Sequence, residues 1–188
     1  MKKCISVLND FRFHIAFGVG GILLDQLTKF WAVSRFTDSL GHPNGEIIPA
    51  LGNFLRFQLV YNEGAAFSSR PQDLIPFLSP TVFFLVLSIV ALAVLFWIYR
   101  SANKEDWLTR LGIAGIISGA CGNFIDRMRL GKVVDFIDSD FPDFIMTRFP
   151  TFNVADSFVT VSVICVFLSP FILKSVHRKK EKKTNDEN

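Results

Sequence analysis

The sequence predicts an all-α membrane protein: four transmembrane helices carrying a small extracytoplasmic β-sheet or hairpin cradle. Three observations predict it. Half of the 188 residues are apolar and only 20% are charged, a little below the roughly 25% usual in soluble domains. The charges are unevenly placed, with none between Asp73 and Arg100 or between Asp156 and Lys174. Apolar runs that reach about 20 residues read as bilayer spans, not as buried core helices. Finally, the segment between the first two apolar runs alternates in the manner of strands. This composition excludes disorder, collagen, coiled coil and a secreted disulfide scaffold.

The first span is expected at about residues 13–36. Met1-Lys-Lys precedes it, as in a signal peptide, but Asp25 and Lys29 interrupt the apolar run. No small-residue cleavage site follows, so a retained helix is expected. Asp25 and Lys29 are i, i+4 and lie on one face, where they can pair. Ionisable residues in a bilayer cost roughly 2.5–3.5 kcal/mol each and so need a reason to be there. Two reasons stay open: locking the helix to the bundle, or touching a substrate.

The loop over residues 37–73 follows. From Glu46 to Asn62, apolar runs flank Leu51-Gly-Asn53, and Phe54, Arg56 and Gln58 alternate with Leu55, Phe57 and Leu59. Aromatic and β-branched residues around Gly and Asn suggest a hairpin or small sheet. The second span is expected at about 74–99, with Pro76 and Pro80 near its start. The third is expected at about 108–127. Gly115 and Gly119, and again Ser118 and Gly122, are four apart. That spacing lets a neighbouring helix approach closely; a substrate-facing role for Gly119 is the alternative.

The loop over 128–153 contains Lys132-Val-Val-Asp-Phe-Ile137, which reads as extended. Asp138-Ser-Asp-Phe-Pro-Asp143 resembles the opening of a calcium loop. It lacks the Gly at position six and the Glu at position twelve, and so reads as a solvated acidic turn. The fourth span is expected at about 154–176. One integral membrane domain, 1–176, and a basic tail, 177–188, complete the organisation.

Net charge is +3 and the pI about 8.8, too mild for nucleic acid. Much of the excess lies in the tail from Lys174 to Lys183, which reads as a cytoplasmic anchor facing anionic lipid. Lys2, Lys3, Arg12, Arg100, Lys104 and Arg110 fall on the same side when the spans are even in number. Both termini are then cytoplasmic. Arg35, Arg56, Arg70, Arg127, Arg129, Lys132 and Arg148 fall in the outward connections, so the bias rests mainly on the tail. Cys4, Cys121 and Cys165 are odd in number and widely spaced, and read as packing residues. His14, His42 and His177 have no ligand spacing, so no zinc site is expected.

The polar residues gather at the outer end of the third and fourth spans. Asn123, Asp126 and Arg127 share a helix face, as do Asn153 and Asp156. The third span exits and the fourth enters on one side, so Asp126, Asp135 and Asp156 lie near one membrane boundary. Two carboxylates in a partly desolvated site cannot both ionise easily. One keeps a proton, and the pair can act as acid and base on a shared water. Plainer roles are open too: Asp156 as a helix N-terminal acid, Asp135 as a solvated loop residue. A small transporter or assembly factor that uses Asp25 and Lys29 as a relay is the rival class.

Five motifs in order carry a resemblance. They are Asp25-Gln-Leu-Thr-Lys29, Asn62-Glu-Gly-Ala-Ala-Phe67 and Gly119-Ala-Cys-Gly-Asn-Phe-Ile-Asp-Arg127, followed by Gly131-Lys-Val-Val-Asp-Phe136 and Phe152-Asn-Val-Ala-Asp-Ser157. Together they resemble lipoprotein signal peptidase, the signal peptidase II family of aspartyl proteases, from about residue 13 to 176. The resemblance implies a four-span enzyme of the bacterial cytoplasmic (inner) membrane with its site near the extracytoplasmic face. It implies that a prolipoprotein is cut just before a Cys that carries diacylglycerol. By motif, Asp135 and Asp156 are the catalytic pair. Asn62, Gly119, Asn123, Arg127 and Asn153 match substrate- or inhibitor-groove positions. Asp25, Lys29 and Asp126 match supporting polar positions. Membrane lipid and globomycin-type inhibitors are the implied further partners, and no metal or other cofactor is implied. Ser118 and Glu63 depart from the family's usual Gly and Thr.

Overall fold

The computed structural model describes residues 11–52, 54–63, 79–140 and 149–186. Helix α1 spans Phe11–Phe36. Strands β1 (Ile48–Leu51) and β2 (Leu55–Asn62) follow, then helices α2 (Pro80–Ser101) and α3 (Trp107–Leu130). Strand β3 (Val133–Ser139) leads into helix α4 (Val154–Asp186). The chain is therefore mostly helical with one small antiparallel sheet of order β1-β2-β3. Among the described residues, three helices are long and apolar enough to cross a membrane: α2, α3 and the Val154–Ile172 part of α4.

Each helix end has a local cause. Ser79 caps α2, its hydroxyl accepting from the Val82 N–H at 3.3 Å, and Pro80 occupies the first turn, where its missing N–H costs nothing. That start lies later than residue 74; residues 74–78 are outside the described set. Asp106 caps α3 by accepting from the Thr109 N–H at 2.9 Å. Gly131 ends α3 with φ 72°, donating its N–H to the Arg127 carbonyl, a left-handed cap that Gly adopts without steric cost. Helix α4 does not stop at residue 176 but continues to Asp186 through the basic segment.

The bundle is inverted relative to a soluble one. On α1 the buried residues are His14, Gly21, Asp25, Lys29, Ala32 and Phe36, one face at helical spacing. Outside, Leu27 and Phe30 are 66% and 72% exposed. Polar groups point in and apolar groups out, as a lipid-facing helix requires. Helix α3 lies at the centre. A Cβ at Gly119 would strike the Ala155 carbonyl of α4, and one at Gly122 would come within 2.5 Å of Asp25 Oδ2. Glycine here sets how closely three helices pack. Ser118 donates its hydroxyl to the Gly18 carbonyl of α1 at 2.8 Å.

The sheet sits over the end of α1. Leu59, Val134 and Phe136 pack with Ala32 and Phe36, and Trp31 meets Phe36, Phe57 and Phe136 edge-on. The expected hairpin is present, with β1 and β2 antiparallel. Asp138 does not sit in a solvated turn. Asp138 is fully buried within β3, where Arg56 Nη2 and Nε at 2.6 and 3.0 Å and Gln58 Nε2 at 3.0 Å converge on one oxygen. Residues 141–143 of that motif, and 64–67 of the segment after Asn62, lie outside the described residues, as do Lys2, Lys3 and Cys4. Cys121 and Cys165 are free and half-buried.

Candidate active site

Strand β3 presents Asp135 on one face and Val134 and Phe136 on the other, by the two-residue alternation of a strand. The Val134–Phe136 face packs into the core, so Asp135 turns to the opposite side. There it is 2% exposed, which excludes the solvated-loop alternative. Its cross-strand partner is Val60, and the diagonal neighbour Asn62 donates Nδ2 to Asp135 Oδ2 at 3.0 Å.

The second carboxylate is brought in by the segment before α4. Phe152 exchanges backbone hydrogen bonds with Ile137 at 2.8 and 3.0 Å and accepts from the Phe136 N–H at 3.0 Å. That pairing sets the start of α4 beside Asp135. Asn153 is the N-cap, and its Oδ1 accepts from the Asp156 N–H at 2.9 Å. The Asp156 carboxylate reaches back to the Asn153 N–H at 3.2 Å. This is a reciprocal capping box, built on Asn and Asp. Asp156 is thus both the helix N-terminal acid of the plainer expectation and a member of the site.

Two asparagines join the carboxylates. Asn153 Nδ2 donates to Asp135 Oδ1 at 2.6 Å and to Asn123 Oδ1 at 3.1 Å. Asn123 Nδ2 donates to Asp156 Oδ1 at 2.8 Å. Asp135 and Asp156 line one cavity of about 470 Å³ with Asn62, Phe152, Ser157 and Thr160. Burial is the main cause that pushes Asp135 up to about 6. The Asn62 hydrogen bond opposes this, and the nearby Asp156 charge adds to it. A carboxyl so placed holds a proton over a useful pH range.

Behind the pair lies a buried charge cluster. Lys29 Nζ is 2.9 Å from Asp25 Oδ2 and 2.8 Å from Asp126 Oδ2. It also donates to Asn123 Oδ1 at 2.8 Å. Asp25 Oδ1 accepts the Ala155 N–H of α4 at 2.8 Å, and Asp126 Oδ2 accepts the Val134 N–H of β3 at 3.1 Å. Gln26, which no spacing rule singled out, donates to Asp25, Asp126 and the Gly122 carbonyl, each at 3.1 Å. Its position one residue from Asp25 was the only sequence signal.

The remaining residues separate. Arg127 stacks its guanidinium over Phe84, 5.3 Å from the ring centre, and is attracted by Asp156, Asp135 and Asp126. The ion pair of Asp126 is with Lys29. Gly119 packs under Ala155 and Val159 and does not line the cavity with the carboxylates. Among the described residues no group of three or more His, Cys, Asp or Glu is arranged to hold a metal.

Two carboxylates on one cavity, oriented by amides at the end of long apolar helices, have the parts of a membrane-associated aspartic endopeptidase. The comparisons agree. The chain belongs to the signal peptidase II family, whose model matches residues 17–172. It is 41% identical over 165 residues to a lipoprotein signal peptidase of Coxiella burnetii, covering 85% of this chain and 90% of that one. A lipoprotein signal peptidase of Latilactobacillus sakei is 34% identical, covering 92% and 98%. A solved structure, described as a bacterial membrane enzyme at 2.3 Å resolution, superposes with TM-score 0.70. It shares 30% identity, over 91% of this chain and 93% of that one.

Proposed function

We propose that Asp135 and Asp156 are the catalytic pair with which this signal peptidase II family member removes signal peptides from prolipoproteins. The observation that carries the assignment is geometric: both carboxylates line one cavity, and Asn153 bonds to both. Asp135, buried and pushed up to about 6, keeps the shared proton and donates it to the scissile carbonyl oxygen. Asp156 takes a proton from water, which attacks the carbonyl carbon. The protonated member then assists departure of the amine. The pair titrates jointly, so these roles describe one microstate of it.

In this reading α1 is a fourth span, its Asp25 and Lys29 neutralised by each other and by Asp126. Residues 1–176 form one integral domain, and 177–188 a basic tail. Both termini are cytoplasmic, and the sheet and carboxylates lie near the outer face of the bacterial inner membrane. The bond cut is the one before a diacylglyceryl-Cys. Asn62, Asn123, Arg127 and Asn153 are the proposed binding residues for the peptide and the globomycin-type inhibitors; of these Asn62 lines the cavity, and Asn123 and Asn153 bond its carboxylates. The packing of Gly119 supports a role in helix approach there. The transporter reading is not favoured, because the buried Lys29 is fully engaged by its own helix bundle.

The deciding experiment uses purified protein in lipid with a diacylated prolipoprotein. Wild type should release the signal peptide. Asp135→Asn and Asp156→Asn should each cut about 100- to 10,000-fold more slowly, the range general acid–base groups contribute apiece. Wild-type rates in either folded, inserted variant would overturn the assignment.

A further inference from the structure

The two ends of the Asn123 amide have opposite partners. Its Nδ2 donates to Asp156 Oδ1 at 2.8 Å, while its Oδ1 accepts from Lys29 Nζ at 2.8 Å. An amide turned end for end keeps its shape but exchanges donors for an acceptor. Turned here, it would aim N–H at an ammonium and a carbonyl at a carboxylate. An ammonium is donor only, so Lys29 forbids that orientation. Asn153 Nδ2 also points at this oxygen, but it is shared with Asp135 and the Val134 carbonyl. Lys29 brings the full charge.

The ammonium is itself held in place. Lys29 is 3% exposed, and its carboxylate partners Asp25 and Asp126 bond backbone N–H groups of α4 and β3. Those are the two elements that carry Asp156 and Asp135. The position of Lys29 is therefore referenced to both halves of the site. It reaches the cavity-lining Asp156 through Asn123.

We infer that Lys29 is a positioning residue for peptide cleavage, acting through Asn123 to keep the donor end of that amide on Asp156. The inference rests on the proposed catalytic pair. It differs from a purely structural role in that the chemical effect of Lys29 must disappear when Asn123 is absent.

A double-variant cycle on the full chain in lipid tests this, with a diacylated prolipoprotein as substrate. Every protein in the cycle carries Asp126→Asn, so that removal of the ammonium leaves the local net charge where wild type has it. In that background Lys29→Met should lower kcat by about 10- to 100-fold with KM nearly unchanged, the size expected when a supporting contact lets a catalytic group drift. In the further presence of Asn123→Ala the same change should cost less than about threefold, because effects that run through one residue do not add. An equal factor in both backgrounds, or a rise in KM in place of the fall in kcat, would overturn the inference. So would an Asn123→Ala protein with unchanged kcat. Should Met prevent insertion, the cycle is read with Lys29→Gln, which keeps an N–H donor and should lose less kcat when Asn123 is present. Failure of the catalytic pair is separately visible, as unchanged cleavage by Asp135→Asn or Asp156→Asn.

Discussion

Asp135 illustrates how a single residue acquires chemistry from its surroundings. In sequence it is one acid within Lys132-Val-Val-Asp-Phe136, as suited to a loop as to a site. Burial on β3, enforced by Phe152 pairing with Ile137, raises its affinity for the proton to about 6. On the proposed mechanism the pair needs one proton, so kcat/KM, which reports on the free enzyme, should fall as pH rises through about 6. In kcat the same limb should lie higher, because bound substrate removes more water from the carboxyl. A pH–rate series on one prolipoprotein checks both. The stability sign follows as well. The folded value lies above the ordinary 3.8, so the contribution of Asp135 is complete below that value and is lost as pH rises through about 6. The unfolding midpoint should therefore decline from about pH 4 to about pH 6 and level off above that, and the decline should shrink in Asp135→Asn. The identity of this residue was legible in the motif. Its burial was not, because the covering segment arrives from beyond the loop that follows.

At the scale of elements, β2 and β3 are joined by more than their backbone ladder. Arg56 and Gln58, two apart on one face of β2, meet Asp138 of β3. The alternation of β2 was visible in the sequence. The partner was not, because Asp138 opens an acid-rich stretch whose local composition suggests solvent. Only strand register places it opposite Arg56. Asp138 has no exposure, and Arg56 brings a cation to this buried carboxylate. Arg56→Met should then destabilise by about 3–5 kcal/mol, whereas Arg56→Met with Asp138→Leu should recover most of the loss, as buried pairs replaced together usually do. Thermal unfolding in detergent, compared across the three proteins, measures it. The capping box of α4 was half legible: Asn153 and Asp156 stood at the right spacing, but the Asp25 carboxylate on the Ala155 N–H comes from another helix.

The whole molecule is apolar outside and charged inside, and that inversion is what the composition showed first. Three spans meet the length and hydropathy expected of a crossing helix. α1 is not among them, and its buried Asp25 and Lys29 lower its hydropathy. On the proposed topology, Asn44 lies outside and Asn103 inside. In a variant lacking Cys4, Cys121 and Cys165, a membrane-impermeant thiol reagent should label Asn44→Cys in intact cells. It should reach Asn103→Cys only after the membrane is opened. The reverse pattern would invert the assigned orientation.

The buried triad also has a meaning in time. A chain is made from its N-terminus, so on the proposed four-span topology α1 enters the bilayer before α3 is complete. At that moment Lys29 has one counter-ion, Asp25, a turn away on its own helix, and the pair can travel as a self-neutralised unit. Asp126 and Asn123 arrive only with the third helix. The later acid converts a pair that could travel alone into the fixed reference point inferred for Asn123.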